Sequence, residues 1–157
     1  MNKQLATYLN NHLAASVTAL ELLASLETAH ANAQIAQFAS ALRIEIETEQ
    51  QTLESLMERL QIAKSRPQQA VGWVAEKFTQ LKLRWDDSSD GSLHLLESLE
   101  LLIVAIEGKR GLWRALAHVG VPGLQGSDYE ALARRSEEQQ QRVETFRLAA
   151  AHAAFTA

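Results

Sequence analysis

The sequence predicts an all-α fold in which four long helices pack as an antiparallel bundle, with a short extra helix between the second and third. Three observations support this prediction. Alanine, leucine, glutamate and glutamine, which favour helices, are the commonest residues, and there are only two prolines. Apolar residues recur at helical spacing in four long stretches. Loop signals separate the third and fourth of these stretches from what precedes them. Matched helices with apolar stripes bury them by packing together as a bundle.

The first two predicted helices are separated by neither glycine nor proline. The first covers residues 3–29 with Asn2 as its N-cap, and the second runs from the cap Asn32 to about residue 63. The apolar residues of the second helix alternate in steps of mostly three and four, as in helix bundles. These residues are Ile35, Phe38, Leu42, Ile46, Leu53, Leu56 and Leu60.

A short helix over residues 67–83 is predicted to fill the long connection, with Ser65 and Gln68 forming a capping box. A polar loop at residues 86–92 precedes the third long helix, predicted over residues 92–118. A glycine-rich loop at residues 120–126 follows, and a second capping box at residues 127–130 opens the fourth long helix.

Composition restricts the possible functions. The chain of 157 residues has the length of one domain, so residues 1–157 are predicted to form a single bundle. The absence of cysteine excludes disulfides, thiolate nucleophiles and cysteine-ligated metal centres. A net charge of −4 without a basic patch argues against nucleic acid. No signal peptide or membrane span is recognisable, so we expect a cytoplasmic protein with no membrane partner.

One acidic residue lies in the apolar seam of the second helix. Glu49 falls between Ile46 and Leu53, where a carboxylate is costly unless it is paired or bound to metal. This position is compatible with a metal ligand or a base. The interpretation we favour is a structural carboxylate at the edge of the seam or paired with an arginine.

Two further acids interrupt the most apolar helix. Glu100 and Glu107 lie seven residues apart on one face of the third long helix, which is apolar nearly all round, so we expect them to face something other than water. One interpretation is that Glu100, with or without Glu107, contributes a carboxylate to the bundle interior. The interpretation we favour is that both form internal salt bridges, with Arg110, Arg114 or an arginine of the last helix. His12, on the apolar side of the first helix, is interpreted as a hydrogen-bonded structural residue or a ligand.

Four stretches carry a family resemblance. Residues 9–23, 45–49, 97–100 and 136–140 resemble helices of small bacterial ferritin-like proteins. The arrangement of two long helices, a long connection and two more long helices is similar as well. The resemblance therefore implies a ferritin-like bundle, and apolar surface residues lead us to expect self-association as a dimer or higher oligomer.

The resemblance also suggests a metal site. Di-iron members of this superfamily use a glutamate from each of two helices and Glu-x-x-His from each of the other two. The second and fourth helices here contain no such motif, so the implied site for iron or manganese is reduced to carboxylates. Its ligands are Glu49 and Glu100, with Glu21, Glu107 and Glu137 as further candidates.

Three functional hypotheses follow. The leading one is a non-catalytic structural or interaction protein that self-associates through apolar surface at residues 149–157, including Phe155, and through Trp73, Trp85 and Trp113. The alternative is a ferritin-like protein that binds iron or manganese at the reduced carboxylate site. The third is an enzyme that uses paired carboxylates on a small molecule within the bundle. No phosphate-binding loop or serine-nucleophile motif points to another chemistry.

Overall fold

A computed structural model describes residues 2–28, 32–65, 73–83, 91–120 and 122–156, with side chains of the third helix described from residue 76. This part of the chain forms five helices that pack against one another, and it contains no strand. The helices are α1 (Lys3–Thr28), α2 (Ala33–Arg59), α3 (Trp73–Leu83), α4 (Gly91–Val119) and α5 (Tyr129–Thr156). The predicted all-α class is confirmed. None of the described helices is long and apolar enough to cross a bilayer.

Asparagines cap the first two helices as predicted. Asn2 Oδ1 accepts hydrogen bonds from the backbone N–H groups of the first turn of α1, 3.0 Å from the nitrogen of Gln4. Asn32 Oδ1 accepts from the nitrogens of Gln34 and Ile35 at 3.0 and 3.3 Å. These side chains satisfy amides that a helix start leaves without internal partners.

The end of α2 comes four residues earlier than the predicted residue 63. Gln61 adopts a left-handed conformation with φ of 57°. The backbone nitrogen of Ile62 then donates to the carbonyl oxygen of Met57 at 2.9 Å. The backbone nitrogen of Gln61 donates to the carbonyl oxygen of Glu58. This pair of bonds is a Schellman ending, with Met57 and Ile62 both buried in one apolar cluster. No glycine marks the ending, and the sequence therefore did not reveal it.

The start of α5 corrects a second expectation. Asp128 Oδ1 accepts from the nitrogen of Ala131 at 2.9 Å, which makes Asp128 the N-cap. The position three residues after this cap is alanine, so the capping box predicted with Ser127 and Glu130 does not form. Residues 66–68 of the predicted box at residues 65–68 lie outside the described residues, and so do residues 86–90 of the predicted loop at residues 86–92.

Helix packing divides the core into two apolar clusters. α1 packs on α2, and α4 packs on α5, while α1 also contacts α4 and α2 contacts α5. The first cluster, which takes in the second half of α1 and the first half of α4, contains Leu22, Leu23, Leu26, Leu42, Leu99 and Leu102. The second, at the other ends of these helices, contains Leu9, Leu13, Met57, Leu112, Trp113 and Leu116. The interior between the two clusters includes polar side chains.

Helix α3 is held against the start of α4. Phe78 and Leu81 are buried in the first cluster. The buried His94 of α4 lies with Nε2 3.2 Å from the carbonyl oxygen of Leu81, and it donates because that oxygen can only accept. α3 therefore covers the end of the core at which α4 begins.

Candidate functional site

A buried group of three polar side chains lies between the two apolar clusters. Glu49 of α2 is 1% exposed and Gln139 of α5 is fully buried. Lys109 of α4 places its Nζ between them and donates to Glu49 Oε2 and Gln139 Oε1. Gln139 Nε2 in turn donates to Glu49 Oε1 at 3.0 Å. Both carboxylate oxygens of Glu49 are thus hydrogen-bonded, as a buried charge requires. We call these three residues the polar triad.

The surroundings of Lys109 oppose its charge. Burial lowers the pKa of Lys109 below its ordinary value, and the nearby charge of Glu49 acts in the opposite direction. Because the two groups are hydrogen-bonded to each other, the pair carries no net charge wherever the proton resides. The polar triad is therefore a neutral unit in the interior.

A second ion pair extends the polar triad towards solvent. Arg142 Nη2 lies 2.7 Å from Glu45 Oε1, and Arg142 Nη1 lies 2.9 Å from Glu45 Oε2. Burial raises the pKa of Glu45, but the hydrogen bonds and charge of Arg142 outweigh this and leave the pKa below its ordinary value. This two-point pairing links α2 to α5 at the level of Gln139.

A cavity of about 830 Å³ opens between α1, α2 and α4 beside the polar triad. Its walls are built largely from small and aliphatic side chains, with Glu49 and Lys109 at one side. The small residues that make room for it are Ala14, Ala15 and Ala19 of α1 and Ala105 and Gly108 of α4. We call it the α1–α4 cavity. Ser16 of α1 lines this space as well.

Polar groups along the cavity are mostly satisfied within the protein. Gln50 Nε2 donates to Ser16 Oγ at 2.9 Å. Asn10 Nδ2 donates to the carbonyls of Ala6 and Ala63, and its Oδ1 accepts from the nitrogen of Ser65 at 2.8 Å. These bonds hold α1 against α2 and the segment that follows it, so they support the wall of the cavity.

Two aromatic side chains with ring nitrogens, His12 and Trp113, lie at the same end of the cavity. Burial lowers the pKa of His12, which packs edge-on against Tyr8 with ring centroids 4.6 Å apart. Trp113 is 1% exposed and lines the cavity, and its Nε1 has no hydrogen-bond partner among the described residues. An indole N–H is a donor that nearly always has a partner when buried.

The five acids proposed from sequence do not come together. Glu49 is buried in the polar triad, while the other four are exposed. Glu21 pairs with Lys82 at 3.5 Å. Glu137 lies on the outer side of α5 and lines a second, polar groove between α4 and α5.

Glu100 and Glu107 do not contribute carboxylates to the interior, and the expectation that they avoid water is wrong. Leu99, Leu102 and Ile106 of α4 face inward. Glu100 follows Leu99 and Glu107 follows Ile106, so both acids lie on the outer side of the helix. Glu100 pairs with Arg147 of α5 at 3.3 Å, and Glu107 pairs with Arg110 at 3.1 Å. Salt bridges were the interpretation favoured from the sequence, but both pairs lie at the surface instead of inside the bundle.

The donor set does not fit an iron or manganese ion. Glu49 is the one proposed ligand in the interior, and the ammonium group of Lys109 already pairs with its carboxylate. Within the described ranges, no three histidine, aspartate or glutamate side chains form a group that could hold a metal ion. The sequence contains one Glu-x-x-His near a helix end, from Glu27 to His30. His30 lies outside the described residues, and Glu27 is engaged by Arg43 at 2.6 Å.

Sequence reasoning overlooked Lys109 and the significance of Trp113. Lys109 follows Leu102 by seven residues and Ile106 by three, a spacing that places it on the buried face of α4. That spacing was the available signal for a partner of Glu49. Trp113 was expected at a contact surface, but it is buried and cannot contribute to one. Trp85 and the side chain of Trp73 lie outside the described residues.

Comparisons with known proteins add no functional assignment. No protein-family model, curated protein or solved structure matched the chain. The geometry of the site is therefore the basis for the functional proposal.

Proposed function

We propose that the chain binds a small, predominantly apolar molecule in the α1–α4 cavity. The observation that carries this proposal is a cavity of about 830 Å³ beside the buried polar triad. Ligand sites are typically clefts of this size, mostly apolar, with a few fixed polar groups. The polar triad and the Asn10 hydrogen bonds keep the walls in place, so the site is organised before a ligand arrives.

The arrangement proposed around this cavity is an antiparallel four-helix bundle with ferritin-like connections. Contacts between α1 and α2 run in opposite order along the two helices, since Ser16 meets Gln50 and Glu27 meets Arg43. Contacts between α4 and α5 do the same, with Glu107 near Gln140 and Glu100 near Arg147. The connection from α2 to α4 starts at the second apolar cluster and returns through α3 at the first. An end-to-end crossover of this kind supports the ferritin-like plan.

Filling the cavity provides the test of ligand binding. Gly108 lines the cavity, and no atom lies within 4 Å of a Cβ placed there. Gly108→Leu should therefore occupy ligand space without a clash, and replacing a helical glycine favours the helix by up to about 1 kcal/mol. We expect this variant to weaken binding of the uncharged fluorophore N-phenyl-1-naphthylamine by about tenfold or more, since it removes ligand contacts. Fluorescence titration measures the affinity.

Gly111→Leu is the matched control. Gly111 lies one turn later in α4, is exposed, also has no atom within 4 Å of the added Cβ, and does not line the cavity. It should bind the fluorophore as the natural protein does. Equal affinity in the Gly108→Leu variant and the natural protein would contradict the proposal. A loss in both variants would trace the effect to α4 as a whole.

Self-association is a second candidate function, and exposed apolar side chains of α5 favour it. Leu148 is 55% exposed and Phe155 is 73% exposed, and their separation of seven residues places them on one face. If α5 forms a dimer contact, the double variant Leu148→Ser and Phe155→Ser should be monomeric at concentrations where the natural protein is larger. Light scattering measures the molar mass, and an unchanged mass in the double variant would exclude this face.

A further inference from the structure

Helix α2 presents an uncharged stripe to solvent along most of its length. Seven positions, whose spacing alternates between three and four residues, all carry exposed side chains. They are Gln34, Gln37, Ala41, Ile44, Thr48, Gln51 and Ser55. Two helices pack along a seam of this spacing, because it keeps one face of each helix turned towards the other. We call these seven residues the α2 stripe.

The α2 stripe differs from an ordinary solvent-facing side of a helix, which carries charged side chains. Between residues 34 and 55 the charged residues all lie off the stripe, and each is paired within the chain. The pairs are Arg43 with Glu27 and Glu47, Glu45 with Arg142, Glu49 with Lys109, and Glu54 with Lys64. A surface that docks on the α2 stripe therefore takes no unpaired charge of this segment out of water.

Ile44 lies at the middle of the α2 stripe and is its largest apolar side chain. It is 59% exposed, and it lies ten residues after Gln34 and eleven before Ser55. A second α2 stripe running in the opposite direction therefore matches the first position by position. Ile44 then packs on its own counterpart, and Gln34 of each copy lies beside Ser55 of the other. A surface that matches itself in this way is suited to a two-fold contact.

The charge along α2 favours the antiparallel direction over the parallel one. Residues 33–44 contain one charged side chain, the basic Arg43, whereas residues 45–58 contain five glutamates and no base. An antiparallel pair places the acidic half of each helix beside the half without acids, and it also opposes the two helix dipoles. A parallel pair would place the two acidic halves side by side.

From these features we infer that the α2 stripe is the contact between two copies of this chain, packed antiparallel about Ile44. The inference goes beyond ligand binding, since no residue of the α2 stripe belongs to the described lining of the α1–α4 cavity. It also uses neither Leu148 nor Phe155 of α5. The stripe covers roughly 32 Å of helix, and such a narrow contact lies at the small end of specific interfaces. We therefore expect a dissociation constant of about 1–100 μM.

Ile44→Lys tests the centre of the contact. Sedimentation equilibrium of the natural protein should show a monomer–dimer equilibrium with a dissociation constant in this range. The substitution brings two ammonium groups together at the two-fold axis, so association should weaken by about a hundredfold or more. The side chain is exposed, and circular dichroism should show unchanged helix content. A natural protein that stays monomeric up to about 300 μM overturns the inference, and so does an Ile44→Lys variant that dimerises as tightly.

Two controls separate the α2 stripe from other surfaces. Val119, near the end of α4, is 54% exposed and lies off the stripe, so Val119→Lys should associate as the natural protein does. The double variant Leu148→Ser and Phe155→Ser should dimerise as well. Equal weakening in Val119→Lys and Ile44→Lys overturns the inference. A monomeric α5 double variant beside a dimeric Ile44→Lys protein assigns self-association to α5 and overturns it too.

Introduced cysteines test the direction of the two helices, and the natural chain has no cysteine. In an antiparallel pair, position 34 lies roughly 30 Å from its counterpart and beside position 55 of the other copy. Oxidation of a mixture of Gln34→Cys and Ser55→Cys should therefore link one chain of each variant, whereas neither variant alone should cross-link. Mass spectrometry identifies the linked chains. Efficient cross-linking of Gln34→Cys with itself, or no link in the mixture, overturns the antiparallel contact.

Discussion

Lys109→Met should lower the free energy of unfolding by about 3–5 kcal/mol, because removing one partner of a buried ion pair leaves the other charge uncompensated. Glu49 is 1% exposed and would keep only the Gln139 amide as a partner. Methionine replaces the lysine chain with one of similar length, so the loss of packing is small. Urea denaturation followed by circular dichroism measures the change.

Two controls separate the buried charge from other effects. The double variant Glu49→Gln and Lys109→Met should recover most of the loss, since the amide introduced in α2 can pair with the amide of Gln139 without any charge. Arg110→Met removes the half-buried partner of the exposed Glu107 and should cost no more than about 1 kcal/mol. A loss in Lys109→Met as small as that in Arg110→Met would contradict the buried pair.

This result bears on the cavity as well as on stability. Glu49 and Lys109 line the α1–α4 cavity, while Gln139 links them to α5. A neutral double variant that is stable and still binds N-phenyl-1-naphthylamine would show that the pair organises the wall without contacting the ligand by charge. The buried polar residues of this core then serve mainly to position its helices.

Local signals in the sequence were sufficient for most helix boundaries. Asn2 and Asn32 were identified as caps because short polar side chains before an apolar stripe accept from the first free amides. The end of α2 was missed because Gln61 takes a conformation that usually requires glycine. The cap of α5 was displaced by one residue, since Ser127 and Asp128 are both good caps and only the contacts distinguish them.

The candidate site depends on contacts that sequence spacing cannot supply. Glu49 was predicted in the seam because its neighbours at helical spacing are apolar, and it is buried. Its partners come from residues 60 and 90 positions away, on helices whose rotation is not encoded locally. The α1–α4 cavity was not predicted for a related reason. Small residues on facing helices permit either close packing or a gap, and the choice depends on the bulky residues at each end.

The sequence left the rotation of α4 open, and Leu102→Ala tests the rotation seen in the structure. Residues 101–106 are all apolar, so periodicity does not show which side faces the core, and for this reason Glu100 could be placed either in the interior or in a salt bridge. Leu102 is fully buried in the first apolar cluster, whereas Val104 is 39% exposed. Leu102→Ala should therefore lower the free energy of unfolding by about 2–5 kcal/mol through lost burial and the space left behind.

Val104→Ala, two residues away in the same apolar run, is the matched control for this substitution. We expect it to cost less than about 1 kcal/mol, because its side chain reaches solvent at the edge of the α1–α4 cavity. Urea denaturation compares the two variants under one condition. If Val104→Ala were the more destabilising, α4 would be rotated so that Glu100 approached the interior, and the carboxylate site implied by the ferritin-like resemblance would have to be reconsidered. The expected order instead places Glu100 with Arg147 at the surface and leaves Glu49 as the single carboxylate of the interior site.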